Sequence, residues 1–175
     1  MKNEIIFSEQ QKFNQWWLWL ILIGINGLFI YGLIVQVFGG GHFGSKPMSN
    51  IEIVSVSIII LLFTIFFLNF RLDTSVKKEG IYVRFFPFHF KTKFYAWDRI
   101  NKLYLKKYSP VKDFGGWGIR IGFSGKGKAF NVSGNIGLQI EFKNGKKLLI
   151  GTNKYKELSD SLIHSDIKAF ADYVL

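Results

Sequence analysis

The sequence predicts an α+β membrane protein, in which a two-helix transmembrane hairpin precedes a small antiparallel β domain closed by a C-terminal helix. Three observations predict this class. Two long apolar runs lie within residues 1–70, apolar residues alternate with polar ones over residues 71–151, and the chain ends in apolar residues at helical spacing. Hydrophobic residues make up 49% of the 175 residues, which is high for a soluble domain and excludes a disordered chain.

Two apolar runs have the length and composition of transmembrane helices. Residues 16–38 carry no charge over 23 positions, and residues 51–70 carry only Glu52, near their start. At about 1.5 Å per residue the first run is long enough to cross a hydrocarbon core of about 30 Å. It is also longer than the core of a signal peptide, and no cleavage motif follows it, so we expect a retained span.

The connection between the two runs predicts a tight antiparallel hairpin. Residues 39–50 are rich in glycine and nearly neutral, and the serine or asparagine that ends them is suited to cap the second helix. Gly24 and Gly27 predict a close approach of the two helices. Asn26 lies near the middle of the first run and needs a hydrogen-bond partner. The partner helix is the simpler explanation for Asn26, and a transport role is the alternative.

The distribution of basic residues predicts the orientation. The loop between the runs carries only Lys46, whereas Lys2 and Lys12 precede the first run and many basic residues follow the second. The positive-inside rule therefore predicts a multi-pass protein of the cell (inner) membrane, with both termini in the cytoplasm. The predicted segments are a cytoplasmic N-terminus at 1–12, a helical hairpin at 13–70 and a cytoplasmic domain at 71–175.

Alternating apolar residues predict about seven antiparallel strands after residue 71. In the first clear strand, Ile81, Val83 and Phe85 share one face and the residues between them share the other. The other inward-facing residues predicted by this spacing are Leu103, Leu105, Ile119, Ile121, Phe123, Leu138, Ile140, Phe142, Leu148 and Ile150. Asn144–Gly145 predicts a tight hairpin turn. Residues 154–173 then show the apolar spacing of an amphipathic helix.

This layout resembles the pleckstrin-homology-like (PH-like) fold, an antiparallel β-barrel capped by a C-terminal helix. The whole chain is similar to uncharacterised bacterial membrane proteins in which a two-span hairpin precedes a PH-like domain. The resemblance rests on EGIYVRFFPF, YAWDRINKLYLKKYSP, GGWGIRIG, SGKGKAFNVSGNIGLQIEFKNGKKLLIGT and the closing helix. Such proteins mostly have no assigned activity, and PH-like domains commonly bind lipid or protein, so the resemblance implies a binding role without choosing the ligand. PH domains that hold inositol lipids carry Arg/Lys-x-Arg on the second strand; here Tyr82 stands two positions before Arg84, so no such pocket is implied.

The stretch GFSGKGKA, 122–129, nearly matches the phosphate-binding P-loop G-x-x-x-x-G-K-[ST]. Its last residue is Ala129, which has no hydroxyl for Mg²⁺. The residues that follow lack the helical period that would supply phosphate-binding amides. We therefore expect a glycine-rich β-hairpin, with positive φ at Gly125 and Gly127 and with Lys126 and Lys128 at an exposed tip.

No residue pattern points to catalysis, a metal ion or a cofactor. The chain has no cysteine, and its three histidines are scattered over the inter-span loop, a strand and the last helix. Acidic residues are too sparse in the domain to favour a general acid–base pair. We therefore expect a protein that is not an enzyme.

Trp117 and Arg120 lie in the glycine-rich region that precedes the P-loop-like stretch. Trp117 stands between two glycines and is expected to anchor the core at a bulge, with ligand contact as the alternative. Arg120 alternates with two isoleucines and is expected to be solvated on the outer face of its strand. Binding of a phosphate or carboxylate is the alternative for Arg120.

The surplus of positive charge falls entirely within the predicted domain. Residues 1–70 carry equal numbers of basic and acidic residues, whereas residues 71–175 hold 20 basic and 9 acidic residues, giving the net charge of +11. A basic domain next to a span lies against an anionic leaflet, where each Lys or Arg contributes about 1 kcal/mol. We expect membrane lipids rather than nucleic acid as partners. The expected contacts are Lys77, Lys78, Arg84, Lys126 and Lys128.

These patterns predict a non-catalytic integral membrane protein that presents a basic PH-like domain to anionic lipid or to a protein partner. The alternative is an accessory or scaffold subunit of a membrane complex, or a homo-oligomer. Such a subunit would dock through the face that holds Gly24, Asn26 and Gly27, or through the region of Trp117.

Overall fold

The computed structural model describes residues 4–123, 125–165, 167 and 170, and it divides into two compact units. Residues 14–69 form one unit, and the described residues before 14 and after 69 form the other. The larger unit is therefore built from two separate stretches of chain. The segment 1–12, predicted only as an N-terminal extension, supplies a strand to that unit.

The smaller unit is a hairpin of two apolar helices. α1 (Trp16–Leu33) continues into a π-helical turn at Ile34–Phe38, and α2 covers Asn50–Leu68. Both are long and apolar enough to span a membrane. In the most apolar 18-residue stretch of each helix, only 11% and 6% is buried. The core helix of a soluble protein would be mostly buried. Ser49 caps α2, and its hydroxyl accepts a hydrogen bond from the amide of Glu52.

The larger unit contains nine strands within the described residues, arranged in two sheets. They are β1 (Ile5–Lys12), β2 (Arg71–Lys77), β3 (Gly80–Phe86), β4 (Lys93–Ala96), β5 (Ile100–Lys107), β6 (Gly118–Ile121), β7 (Lys128–Asn131), β8 (Ile136–Phe142) and β9 (Lys147–Gly151). The strand orders are β1-β2-β3-β4 and β5-β8-β9-β7-β6. A short helix, α3 (Pro110–Phe114), precedes β6, and α4 (Tyr155–His164) follows β9.

The predicted closed antiparallel barrel is wrong. The two sheets remain separate, and β7 runs parallel to β9. The reason is the extra hairpin formed by β6 and β7, which the chain inserts between β5 and β8. β7 occupies the edge of β9, and β6 then becomes the open edge of the five-stranded sheet. The α+β class and the two apolar helices are as predicted.

The main core lies between the two sheets and is formed largely by the predicted inward-facing residues. Ile81, Val83 and Phe85 of β3 are buried together with leucines and isoleucines of β5, β8 and β9. A smaller cluster, formed by Tyr108, Phe114, Ala129 and Leu149, covers the other face of the five-stranded sheet. Burial raises the pKa of Tyr108 to about 12, so this side chain stays protonated at physiological pH.

The C-terminal helix is shorter than predicted, because α4 ends at His164 instead of residue 173. Its Leu158 and Leu162 are buried in the main core, as the helical spacing predicts. Farther along, Phe170 forms an isolated bridge with Leu103 of β5, so the apolar spacing continues without helical structure. Residues 166, 168, 169 and 171–173 of the predicted helix lie outside the described residues.

β1 is held in place by a polar contact that reaches the end of β9. The inward face of β1 carries Phe7, Glu9 and Gln11, all of them buried. The Glu9 carboxylate accepts hydrogen bonds from the Thr152 hydroxyl at 2.6 Å and from the Asn153 amide at 2.9 Å. Both carboxylate oxygens are thus satisfied, which is what a buried carboxylate requires.

Candidate membrane-contact surface

The helical hairpin is inserted between two paired strands. β1 and β2 are antiparallel neighbours, and the last residue of β1, Lys12, is paired with the first residue of β2, Arg71. Arg71 is also paired with Phe86, the last residue of β3. Residues 13–15 connect Lys12 to α1, and residues 69–70 connect α2 to Arg71. We call this end of the four-stranded sheet the attachment end.

Three phenylalanines meet at the attachment end. The Phe13 and Phe70 rings are 6.2 Å apart in an edge-to-face arrangement, and the Phe88 ring lies 5.3 Å from Phe70. Phe88 also approaches Phe85 of the main core, at 6.1 Å. The residues that flank the helical hairpin are therefore packed into the sheet domain through aromatic contacts.

The loop between β3 and β4, residues 87–92, presents apolar side chains to solvent; we call it the aromatic loop. Phe88 is 56% exposed and Phe90 is 82% exposed. His89, between them, points inward. Its amide donates to the Phe85 carbonyl at 2.8 Å, its Nδ1 accepts from the Phe85 amide, and its ring contacts Phe130. The inward histidine fixes the loop, and Phe90 faces outward while Phe88 is packed on one side and exposed on the other.

Lysines surround the aromatic loop without acidic partners. Lys12 and Lys91 are exposed, and neither makes an ion pair within the described part of the chain. The Lys93 ammonium lies over the Phe130 ring at 5.3 Å. Burial, and then the nearby charge of Lys128, lowers the pKa of Lys93. Two like charges that lie close together without a carboxylate between them favour binding of an anion.

Arg84 lies on the outer face of the same sheet, where an acidic residue partly neutralises it. Its guanidinium contacts the Asp73 carboxylate at 3.2 Å, and Arg71 contacts the same carboxylate at 3.3 Å. Gln10 donates to the other carboxylate oxygen at 2.8 Å. The two arginines therefore share one carboxylate, and the group retains one positive charge near the attachment end.

Lys77 and Lys78 lie at the opposite end of the four-stranded sheet, which we call the distal end. β2 ends at Lys77, six residues after Arg71, and the chain then turns into β3 at Gly80. At about 3.3 Å per residue, the two ends of β2 are about 20 Å apart. Lys78 forms an ion pair with Glu4, and the Lys77 ammonium lies over the Tyr82 ring at 4.7 Å. Their predicted role in lipid contact remains a prediction.

The P-loop-like stretch is a hairpin connection, as the sequence predicts. β6 and β7 are antiparallel, the Gly122 amide donates to the Gly127 carbonyl, and Gly125 and Gly127 have φ of 75° and 81°. Lys128, the first residue of β7, is exposed as predicted. The Lys126 side chain is 42% exposed, but its ammonium binds the Asp113 carboxylate of α3 at 2.5 Å, so it is not a free lysine at the tip. Bonding to Lys126, and then to the Ser109 amide, lowers the pKa of Asp113.

Trp117 and Arg120 contact each other within the glycine-rich region. Trp117 is half-buried, and its carbonyl accepts a hydrogen bond from the Arg120 Nε at 2.8 Å. The flanking Gly116 and Gly118 have φ of 126° and 112°, which other residues rarely adopt. Arg120 is exposed on the outer face of β6, opposite Ala129, as predicted. Ligand contact by either residue remains a prediction.

The apolar residues of β6 do not enter the core. Ile119 and Phe123 are exposed, and Ile121 is 75% exposed, so their predicted inward placement is wrong. The alternation is that of a strand, but β6 pairs only with β7 at the end of its sheet, and none of its residues belongs to the main core. Ile121 is paired with Lys128, and Ile119 is paired with Phe130. This edge therefore adjoins the lysines around the aromatic loop.

In the helical hairpin, Asn26 has the partner that the sequence predicts. Its Nδ2 donates to the Thr64 hydroxyl of α2 at 2.8 Å and to the Leu22 carbonyl at 2.7 Å. The predicted close approach of α1 and α2 at Gly24 and Gly27 is wrong. A Cβ added at either glycine would meet nothing within 4 Å, whereas one at Gly32 would come within about 3 Å of Ile53 and Phe43.

Comparison with known proteins adds no relative. No protein-family model matches the chain, and no curated protein matches its sequence. Within residues 4–123 and 125–165, no group of three or more histidine, aspartate or glutamate side chains is arranged to hold a metal ion. The candidate surface therefore rests on the geometry of the attachment end alone.

Sequence reasoning missed the aromatic loop. The stretch FFPFHFK continues the strand pattern of residues 81–85 into Pro87, so the alternation alone predicts only a strand end there. The available signal was the dense run of phenylalanines, which one proline and one histidine interrupt and lysines follow. What the sequence did not supply was the register that sets this run beside Arg71.

Proposed function

We propose that this chain is a non-catalytic integral membrane protein whose helical hairpin anchors a basic PH-like domain at the cytoplasmic membrane surface, where the domain binds anionic lipid. The observation that carries this proposal is the insertion of two span-length apolar helices between the paired ends of β1 and β2. Because the linkers are two and three residues long, helices that cross a bilayer keep the attachment end at its surface.

The charge of the domain supports lipid as the partner. The cytoplasmic leaflet is anionic, and each Lys or Arg near it contributes about 1 kcal/mol. At the attachment end Lys12 and Lys91 have no acidic partner among the described residues, so their charge is available to lipid phosphates. The resemblance to bacterial proteins with a two-span hairpin and a PH-like domain agrees with this reading.

Membrane extraction and vesicle binding test the proposal. The full chain should remain in the membrane pellet after alkaline carbonate washing. For vesicle binding, residues 14–69 are replaced by Asn-Gly, since the register of β1 and β2 suits a two-residue turn between Phe13 and Phe70. We call this protein the joined domain. It should float with phosphatidylglycerol vesicles and not with phosphatidylcholine vesicles, and added salt should weaken its binding.

Two results would contradict the proposal. Recovery of the full chain in the supernatant, with no detergent added, would exclude membrane anchoring. Failure of the folded joined domain to bind anionic vesicles at low salt would exclude lipid as its partner. The second result would leave the anchoring intact.

A second candidate function is that of a subunit in a membrane complex, and the exposed β6 edge favours it. Open edge strands with exposed apolar side chains are sites where partner strands add to a sheet. Purification in mild detergent should then recover a partner that is lost when Ile121→Lys is introduced. A monomeric chain without any co-purifying protein would count against this candidate.

A further inference from the structure

We propose that the aromatic loop inserts into the headgroup region of the bilayer, with Phe88 and Phe90 as apolar anchors and with Lys91, Lys93 and Lys128 bound to lipid phosphates. This inference rests on the proposed membrane anchoring and identifies the surface that makes the lipid contact. It replaces Lys77 and Lys78 as the centre of that contact.

The first argument is the position of the loop along the sheet. β3 ends at Phe86, which is paired with Arg71, so the aromatic loop begins at the attachment end. The Phe88 ring contacts Phe70, and Phe70 lies two residues after the last residue of α2. The loop is therefore joined by direct contact to the residues through which the chain enters and leaves the helices.

The second argument is the fixed orientation of the loop. Two hydrogen bonds between His89 and Phe85, together with the contact of the His89 ring with Phe130, hold the loop against the core. Phe90 faces away from the core, whereas Phe88 contacts Phe70 and Phe85 on one side and is still 56% exposed. Phe90, at 82% exposed, makes no ring contact within the described residues. Phe90 is therefore held at the surface of the domain without being packed into it.

The third argument is the pairing of apolar and cationic chemistry. Aromatic residues concentrate at the level of the lipid headgroups, where a basic side chain can reach phosphate while an aromatic ring contacts the acyl boundary. Lys91 follows Phe90 directly, and Lys93 and Lys128 lie together beside Phe130 without a carboxylate. A headgroup phosphate supplies the missing negative charge.

The covalent attachment favours a bilayer over a separate protein as the occupant. Two linkers of two and three residues tie the attachment end to helices of membrane-spanning length. A surface held next to a membrane meets lipid at a very high effective concentration, so even weak individual contacts are occupied. A soluble partner has no such advantage.

A depth measurement on the full chain tests this inference. Because the chain has no cysteine, single reporters can be introduced as Thr92→Cys in the aromatic loop, Lys78→Cys at the distal end and Leu28→Cys in α1. Each variant carries an environment-sensitive fluorophore and is reconstituted in nanodiscs of phosphatidylcholine and phosphatidylglycerol, with and without spin-labelled lipid as quencher. We expect loss of emission at positions 92 and 28, and none at position 78.

A serine substitution then tests the anchor itself. Phe90→Ser should abolish the quenching at position 92 and leave the melting temperature unchanged, since Phe90 has so little contact with the domain. The matched control is Ile163→Ser, which removes an exposed apolar side chain from α4 and should leave the quenching intact.

The outcomes separate this inference from the proposed function. Quenching at position 28 without quenching at position 92 would overturn the loop insertion and leave the anchoring in place. Absence of quenching at position 28 would overturn the anchoring and the inference together. Quenching at position 92 that survives Phe90→Ser would overturn the role given to the phenylalanine anchors.

Discussion

The two ends of the four-stranded sheet carry similar residues but differ in whether their lysines have partners within the protein. At the distal end the protein itself provides partners, because Lys78 is paired with Glu4 and Lys77 lies over Tyr82. At the attachment end Lys12 and Lys91 have no ion pair among the described residues, and the neighbouring Phe90 is exposed. At the distal end the described lysines are already paired within the protein. At the attachment end the unpaired lysines and the exposed Phe90 are complementary to an anionic, partly apolar surface.

This difference teaches that the number of basic residues does not locate a lipid-contact surface. The sequence offers the lysines of 77–78 and those of 91–93 as equivalent pairs. Only strand register shows that the second pair shares an end of the sheet with Arg71. The turn that closes each end differs as well, since two residues connect β2 to β3 and the whole helical hairpin connects β1 to β2.

The largest effect is expected when β1 is removed, because β1 both contributes to the core and pairs with β2. A fragment of residues 71–175 loses the buried Phe7, whose removal alone costs about 3–5 kcal/mol, and it also loses the β1–β2 hydrogen bonds. That approaches the whole stability of a small domain, about 5–15 kcal/mol. We expect a cooperative thermal transition for the joined domain and none for the fragment.

The same experiment has a clear opposite result. If the fragment and the joined domain melt at the same temperature, β1 does not belong to the folded domain. The distinction also matters for vesicle binding, because a fragment without β1 exposes the edge of β2 and would aggregate on any surface.

The next largest effect concerns the buried carboxylate of β1. Glu9→Ala leaves the Thr152 hydroxyl and the Asn153 amide without their acceptor, and hydrogen bonds to charged groups contribute about 1.5–3 kcal/mol each. We expect the free energy of unfolding of the joined domain, measured by urea denaturation, to fall by about 3–6 kcal/mol.

Glu4→Ala is the matched control for Glu9→Ala. Glu4 lies five residues before Glu9, at the distal end. It is exposed and makes only a surface ion pair with Lys78. Such pairs contribute about 0–1 kcal/mol. Equal destabilisation by the two substitutions would show that the Glu9 contact does not fix β1.

Charge reversal compares the two ends directly. Lys12→Glu together with Lys91→Glu should weaken binding of the joined domain to phosphatidylglycerol vesicles by at least about 30-fold, since each removed charge costs about 1 kcal/mol near the surface. Lys77→Glu together with Lys78→Glu changes the net charge equally and should have little effect. An equal loss for both pairs, measured by flotation at low salt, would mean that the domain has no preferred orientation on the membrane.

The smallest expected effect is a pH dependence that arises from the aromatic loop. Burial, and then the charge of Lys93, lowers the pKa of His89 below 6.5, its ordinary value. The unfolded chain then binds more protons than the folded chain just below pH 6.5, so stability is complete above that pH and falls as the pH drops toward the folded pKa. The urea midpoint of the joined domain should therefore be lower at pH 5.5 than at pH 7.5.

His89→Gln should remove most of that decrease. The joined domain retains only one other histidine, His164 at the exposed end of α4, so His164→Gln is the control and should keep the decrease. A pH dependence that His89→Gln leaves unchanged would show that carboxylates, and not the loop, determine it.

Much of the fold follows from the alternation of apolar residues, where that alternation reflects burial on one face. Val83, Leu105 and Ile140 are buried as the period of two predicts, because each lies on the face of its sheet that packs against the main core. The turn at Asn144–Gly145 and the capping of α2 by Ser49 depend only on local chemistry and are also as predicted.

The errors have physical causes in long-range pairing. β1 escaped detection because two of its three inward residues, Glu9 and Gln11, are polar, and their hydrogen-bond partners, Thr152 and Gly151, are far away in the sequence. Ile119 and Ile121 follow the strand period, but β6 pairs only with β7 and contributes no residue to the main core, so both stay exposed. The site was predicted as basic and membrane-proximal, yet its location required the pairing of Arg71 with Phe86.

The most direct test of the account is the side of the membrane on which β1 lies. Single cysteines are placed as Ser8→Cys in β1, Lys146→Cys in the β8–β9 turn and His42→Cys between the helices, and intact cells are treated with a membrane-impermeant maleimide. A helical hairpin inserted between two paired strands requires that Ser8→Cys and Lys146→Cys be labelled together. With the proposed cytoplasmic domain, only His42→Cys should be labelled before lysis, and all three should be labelled after it. Labelling of Ser8→Cys but not Lys146→Cys in intact cells would place β1 and the sheet on opposite sides of the membrane and would contradict the account.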